Sequence, residues 1–166
     1  MPHPPFATCD LCDAHEDDTS GAFRIAPPVF CDFGTGNKFF GPVATLRCPE
    51  DNQRVRDAVS SPGAGRVLVI DGGGSTRRAL VGGKLALAAA QNGWAGIVVD
   101  GAVRDAAELA VCGIGIKALA LVPLRGSKRG DGESGVDVEI QGVPVRPGDW
   151  LYADEDGIVV SATSLL

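Results

Sequence analysis

Three short, almost uninterrupted apolar runs stand at the centre of the chain: Arg66–Asp71 (R-V-L-V-I-D), Ala95–Asp100 (A-G-I-V-V-D) and Ile116–Pro123 (I-K-A-L-A-L-V-P). Runs of this length, rich in β-branched residues, suit strands covered on both faces. Between the first two, Gly83–Asn92 is rich in Ala and Leu and closes at Asn92-Gly93, which predicts a helix with a glycine beyond its C-cap. Arg104–Cys112 predicts a second, shorter helix. Strands alternating with helices predict a βαβαβ unit with parallel strands and right-handed crossovers.

The pattern changes on either side. Val136–Ile140, Val143–Arg146, Trp150–Ala153 and Gly157–Val160 are short strand-like segments separated by Gln141-Gly142, Pro147-Gly148-Asp149 and Asp154-Glu155-Asp156. These predict antiparallel strands with tight turns. Towards the N-terminus, Thr8 reads as the N-cap of a short helix through Leu11 to Ala14. Pro27-Pro28 and Gly34–Asn37 are turn chemistry, and Phe39–Cys48 reads as a strand in which Pro42 marks an edge or a bulge. Asp51–Ser60 reads as a helix closed by Ser61-Pro62-Gly63. The whole predicts one α/β domain over residues 1–166, with a parallel centre and an antiparallel C-terminal part.

Composition narrows the function. The 166 residues carry 15 Lys+Arg against 21 Asp+Glu, a formal charge of −6, and 45% of them are hydrophobic. That is a globular chain and a poor electrostatic match to nucleic acid, while a protein partner stays open. The longest clean apolar segment, Leu85–Ala90, is far short of a membrane span, and Met1–Pro5 lacks the features of a signal peptide, so a cytoplasmic protein is expected. Five cysteines argue against a closed disulfide framework. Cys9, Cys12 and His15 lie close together, but two further ligands at zinc spacing are missing, and ordinary reduced thiols are expected.

Chemistry is expected outside the carboxyl ends of the parallel strands. The first run delivers Asp71-Gly72-Gly73-Gly74 and the second Asp100–Asp105; both are expected to open towards helix N-termini, where free amides favour anions. Gly82-Gly83-Lys84-Leu85 would form such a terminus with no side chain in the way of a small carboxylate. Gly72–Arg77 fails the dinucleotide fingerprint, and Gly83-Lys84-Leu85 fails the phosphate-loop pattern. Arg104 offers a planar fork for a carboxylate, Asp105 a ligand for a hard divalent cation, and Glu108 follows on a nearby helical face. The alternative is purely structural: glycines that only turn the chain, and a capped helix start with an Arg104–Glu108 pair.

The blocks D-G-G-G-S-T-R-R-A-L-V-G-G-K-L (71–85) and Q-N-G-W-A-G-I-V-V-D-G-A-V-R-D (91–105) resemble the RraA/4-hydroxy-4-methyl-2-oxoglutarate aldolase family. L-C-D-A-H (11–15), F-F-G-P-V-A-T-L-R-C (39–48), I-G-I-K-A-L (114–119) and D-W-L-Y-A-D-E-D-G-I-V-V (149–160) extend the likeness over nearly the whole chain. The resemblance implies a three-layer ββα domain of the swivelling phosphohistidine-domain type, assembled as a homotrimer or hexamer. It implies a Mg or Mn cofactor and metal-dependent cleavage of 4-hydroxy-4-methyl-2-oxo acids to pyruvate, with oxaloacetate decarboxylase activity. Arg104 matches the arginine that grips the pyruvate portion and Asp105 the metal-binding aspartate. Gly82, Gly83, Lys84 and Leu85 match the amide loop that holds substrate, and Glu108 an acidic position able to act through metal-bound water. Many aldolase relatives carry an acid where this chain has Gly83, so the proton route has no matched side chain. The other branch of the family binds ribonuclease E and inhibits RNA processing through protein contacts. That is the alternative function.

Overall fold

Along Val67–Asp71, Leu68 and Ile70 join one buried cluster while Val67 and Val69 join another on the opposite face. A strand sandwiched in this way needs apolar residues at every position, which is why the run shows no alternation. The computed structural model describes residues 5–166, so the reading of Met1–Pro4 lies outside the described residues. The elements, in chain order, begin with α1 (Thr8–His15), β1 (Phe23–Ile25), β2 (Cys31–Asp32), β3 (Phe39–Arg47) and α2 (Gln53–Val59). The centre follows with β4 (Val67–Asp71), β5 (Ala79–Val81), α3 (Gly83–Gln91), β6 (Gly96–Val103), α4 (Ala106–Leu109) and β7 (Gly115–Leu121). The chain ends with β8 (Glu133–Ser134), β9 (Val138–Ile140), β10 (Val143–Val145), β11 (Trp150–Asp154) and β12 (Gly157–Ser161).

The main sheet runs β1-β12-β11-β3-β4-β6-β7-β2, with β5 also on β6 and β8 also on β3. Strands β3, β4, β6 and β7 are parallel, as the apolar runs predict. Helices α2, α3 and α4 cover one face through Val55, Val59, Leu85, Ala89 and Leu109. The sheet curls so that β9–β12 cover the other face through Ile140, Val145, Leu151, Ile158 and Val160. Each large aliphatic side chain buried in these layers contributes about 1.5–3 kcal/mol. Among the described residues no helix is long and apolar enough to cross a membrane.

Several expectations are corrected. Thr8 is not the cap of α1 but its first residue: its hydroxyl and amide donate to Asp154 at 2.6 and 2.7 Å, so a tertiary partner takes the side chain that would have capped the helix. Pro42 marks neither an edge nor a bulge. Residues Phe39–Pro42 pair antiparallel with β11 and Val43–Arg47 pair parallel with β4, so Pro42 sits where the strand changes partners. Strand β6 does not stop at Asp100; it shifts register between Val99 and Ala102 and continues, fully buried, to Val103. The turn Gly72–Gly74 leads into β5 rather than a helix, so only the second glycine pair opens onto one. The helix expected over Arg104–Cys112 is a single turn, Ala106–Leu109.

Candidate active site

Helix α3 starts without a side-chain cap. Gly82 precedes it in extended backbone (φ −125°, ψ −172°), and the first intrahelical bond runs from the Ala86 amide to the Gly82 carbonyl at 3.0 Å. The amides of Lys84 and Leu85 are therefore left at the electropositive end of the helix. Beside them, the Arg104 amide donates to the Val81 carbonyl at 3.0 Å, which ties the end of β6 to the end of β5. Asp105 then adopts the left-handed conformation (φ 63°, ψ 50°) and turns the chain into α4. Few non-glycine residues do so, and aspartate is among the more tolerant.

The two strand ends meet on Gly82 and Gly83. The Gly83 amide donates to Asp105 Oδ2 at 2.9 Å. A Cβ on Gly82 would lie 2.7 Å from that oxygen and 3.4 Å from Cγ and Nε of Arg104. A Cβ on Gly83 would lie 1.7 Å from Glu108 Oε2 and 2.7 Å from Cβ and Cδ of Glu108. Arg104, Asp105 and Glu108 therefore converge on a floor of bare backbone, and the glycines admit them by close approach. A cleft of about 260 Å³ adjoins this floor, lined by Gly83, Lys84, Leu87, Glu108, Val111 and Cys112. A larger cavity of about 610 Å³, lined by Arg54, Arg66 and Trp94 among others, shares no residue with the site.

The structural alternative does not describe this arrangement. Asp105 makes no side-chain cap to α4, and among the described residues Arg104 and Glu108 form no ion pair. Arg104 Nη1 leans instead on the Pro123 carbonyl at 3.4 Å. Asp105 and Glu108 supply two carboxylates, and no group of three or more His, Cys, Asp or Glu side chains suited to a metal occurs among the described residues. A protein that offers one or two carboxylates and leaves the remaining positions to water fits Mg²⁺ or Mn²⁺ and does not fit zinc.

Other acids near the strand ends are occupied elsewhere. Asp100 accepts from the amide and side chain of Gln141 at 3.2 and 2.7 Å, and Asp71 accepts from the Gly73 and Glu139 amides at 2.9 and 3.3 Å. The cysteines stand apart. Burial pushes the Cys48 thiol up to about 12, and a hydrogen bond to Asp156 raises that of Cys9, so neither has the depressed value of a reactive thiol.

Sequence reasoning missed the basic surroundings of Lys128. Arg56, Arg125, Arg104 and Lys84, together with slight burial, lower the pKa of Lys128. The signal was in the sequence: Arg125-Gly-Ser-Lys128-Arg129 places three bases within five residues of an acidic chain.

A mixed α/β domain with a curled sheet, few helices and a glycine amide turn between two strand ends is the framework on which the comparisons with known proteins fall. The family model described as Aldolase/RraA matches residues 8–160. A relative from Albidiferax ferrireducens, provisionally named 4-hydroxy-4-methyl-2-oxoglutarate aldolase, is 61% identical, covering 98% of this chain and 99% of its own. One from Cupriavidus necator, with the same provisional name, is 59% identical over 93% of this chain and 94% of its own. The structure of the RNA-processing inhibitor RraA from Thermus thermophilis superposes with a TM-score of 0.90 at 45% identity, covering 98% of both chains. The chain belongs to the RraA-like aldolase family.

Proposed function

We propose that this protein is a divalent-metal-dependent aldolase that cleaves 4-hydroxy-4-methyl-2-oxoglutarate-type keto acids to pyruvate and also decarboxylates oxaloacetate. The observation that carries the reading is the meeting of Arg104, Asp105 and Glu108 over the amide turn Gly82–Leu85. The names given to the relatives support the same class of reaction.

Asp105 would hold the cation and Glu108 a water in its shell. When bound, the cation supplies Lewis acidity to the 2-keto group. Arg104 grips the substrate carboxylate with its planar fork, and the amides of Lys84 and Leu85 face the same negative charge. As the 4-hydroxyl loses its proton, the C3–C4 bond breaks and its electron pair moves to the pyruvate fragment, where Arg104 offsets the charge. Glu108 is the side chain placed to accept that proton, directly or through a held water. It takes the volume that a side chain at position 83 would fill. The homotrimer implied by the resemblance belongs to the same reading: Leu87 and Val111, 48% and 78% exposed, flank the cleft as apolar surface for a neighbouring chain.

The test is a coupled pyruvate assay on wild type and Asp105→Ala, with and without chelator. Turnover that needs Mg²⁺ or Mn²⁺ and is lost in the variant is expected. Metal-independent turnover, or full activity in Asp105→Ala, overturns the reading.

A second function, binding and inhibition of ribonuclease E or another RNA-processing enzyme, is favoured by the likeness to the Thermus inhibitor and by the −6 charge, which suits a basic partner. Salt-sensitive capture of that enzyme supports it, and its absence alongside pyruvate release removes it.

A further inference from the structure

We propose that the cavity between α2 and β3 is a second binding site, separate from the one at Arg104, and that it takes an aromatic monocarboxylate. Its volume of about 610 Å³ lies in the range of small-molecule pockets. Ala44, Leu46, Ala58 and Leu68 line it with apolar surface on the helix side of the sheet. Trp94, 4% exposed, belongs to the same wall. Such a wall suits a flat hydrocarbon body. The charge comes from two guanidiniums, those of Arg54 and Arg66.

One of the two arginines is fixed in place. Arg66 Nε donates to the Gly63 carbonyl at 2.9 Å and Nη2 to the Pro62 carbonyl at 3.0 Å. Its guanidinium carbon lies 4.8 Å from the centre of the Trp94 ring. The indole is itself held, with Nε1 donating to the Ser61 carbonyl at 3.2 Å. A Cβ on Gly63 would stand 2.6 Å from Cγ of Trp94, so the bare backbone there admits the ring. A cation and an aromatic ring set in advance lower the cost of ordering on binding. Arg54, in the first turn of α2 and half-buried, is the other. Its Nε is buried and, among the described residues, donates to nothing, which is costly for a buried donor. The chain has six more acids than bases, yet among the described residues neither arginine forms an ion pair. Asp57 lines the same cavity but accepts from the Gln53 side chain at 3.0 Å instead. Two cations and one acid leave the lining with one positive charge, which a monoanion matches. A guanidinium offers a carboxylate two parallel hydrogen bonds and lays its face against an aromatic ring. Both halves of an aromatic carboxylate are thereby met.

The experiment measures binding of 2-naphthoate, and of its neutral counterpart 2-naphthalenemethanol, to the full chain by calorimetry. Wild type is expected to bind the carboxylate saturably and about tenfold more tightly than the alcohol, the scale of a charge-assisted hydrogen bond. Arg54→Gln and Arg66→Gln, on separate elements, should each weaken naphthoate by about tenfold and leave the alcohol as it was. Arg104→Ala should bind naphthoate like wild type. Circular dichroism confirms that the variants fold. No saturable binding, equal affinity for acid and alcohol, or unchanged affinity in either Gln variant overturns the proposal. So does a loss in Arg104→Ala, which places the probe in the other site. The aldolase reading stands or falls separately, because the two sites share no residue.

Discussion

Glu108 reaches the amide turn only because residue 83 has no side chain. A methyl group at Gly83 would stand 2.7 Å from Cβ of Glu108 as well as against its carboxylate, so rotating the end of the side chain would not make room. Gly83→Ala is therefore expected to act as a Glu108 variant. Loss of a general base costs about 10²–10⁴ in turnover, and Gly83→Ala and Glu108→Ala should each fall in that range. The double variant should be no worse than either single one, because both remove the same carboxylate from the same place. Steady-state rates for the three variants check this. Losses that multiply would show the two residues acting separately.

At the scale of elements, α1 is fastened to β11 by Asp154, which is 3% exposed. Burial pushes its carboxyl up, but bonds from the Thr8 hydroxyl and amide and the Asp156 amide outweigh it and hold the group below the usual range. A carboxyl depressed in the folded state adds stability above its unfolded value, about 3.9, and loses it as pH falls through the folded one. Hydrogen exchange over residues 8–15 should therefore quicken on acidification below about pH 4. Asp154→Asn should flatten that response and cost about 1–3 kcal/mol at neutral pH. A wild-type acid response kept in the variant would place the loss elsewhere.

The same scale divides what was legible in the sequence from what was not. β4, β6, β7 and α3 show in the chain because burial on both faces, or on one helical face, writes itself into local composition. β5 does not: Ala79–Val81 is three residues long and becomes a strand only by pairing with the part of β6 beyond its register shift. Asp100-Gly101 looks like a turn, yet Gln141 takes the aspartate and the strand runs on. Arg104, Asp105 and the glycine turn stand out in the chain as a guanidinium fork, a hard-cation ligand and bare amides beyond strand ends, and the family resemblance groups them. The convergence of Glu108 on Gly83 joins positions distant in the chain, so no local pattern carries it.

For the molecule as a whole, net charge is a misleading summary: an acidic chain carries Arg125, Lys128 and Arg129 within five residues, on a segment hydrogen-bonded to Ala79 of the strand that leads into the glycine turn. The sheet has a comparable duality. Strand β3 gives its first four residues to the antiparallel half and its last five to the parallel half. Heat should therefore melt both halves together, and a calorimetric scan is expected to show one transition with matching calorimetric and van't Hoff enthalpies. Two resolved transitions would show the halves to be independent. The handover at Pro42 also bears on how the chain could be taken apart. A split or circular permutation opened between Pro42 and Val43 would leave each fragment with a raw strand edge, a template for aggregation. Tolerated cuts belong in exposed turns such as Glu155-Asp156, where no strand is shared.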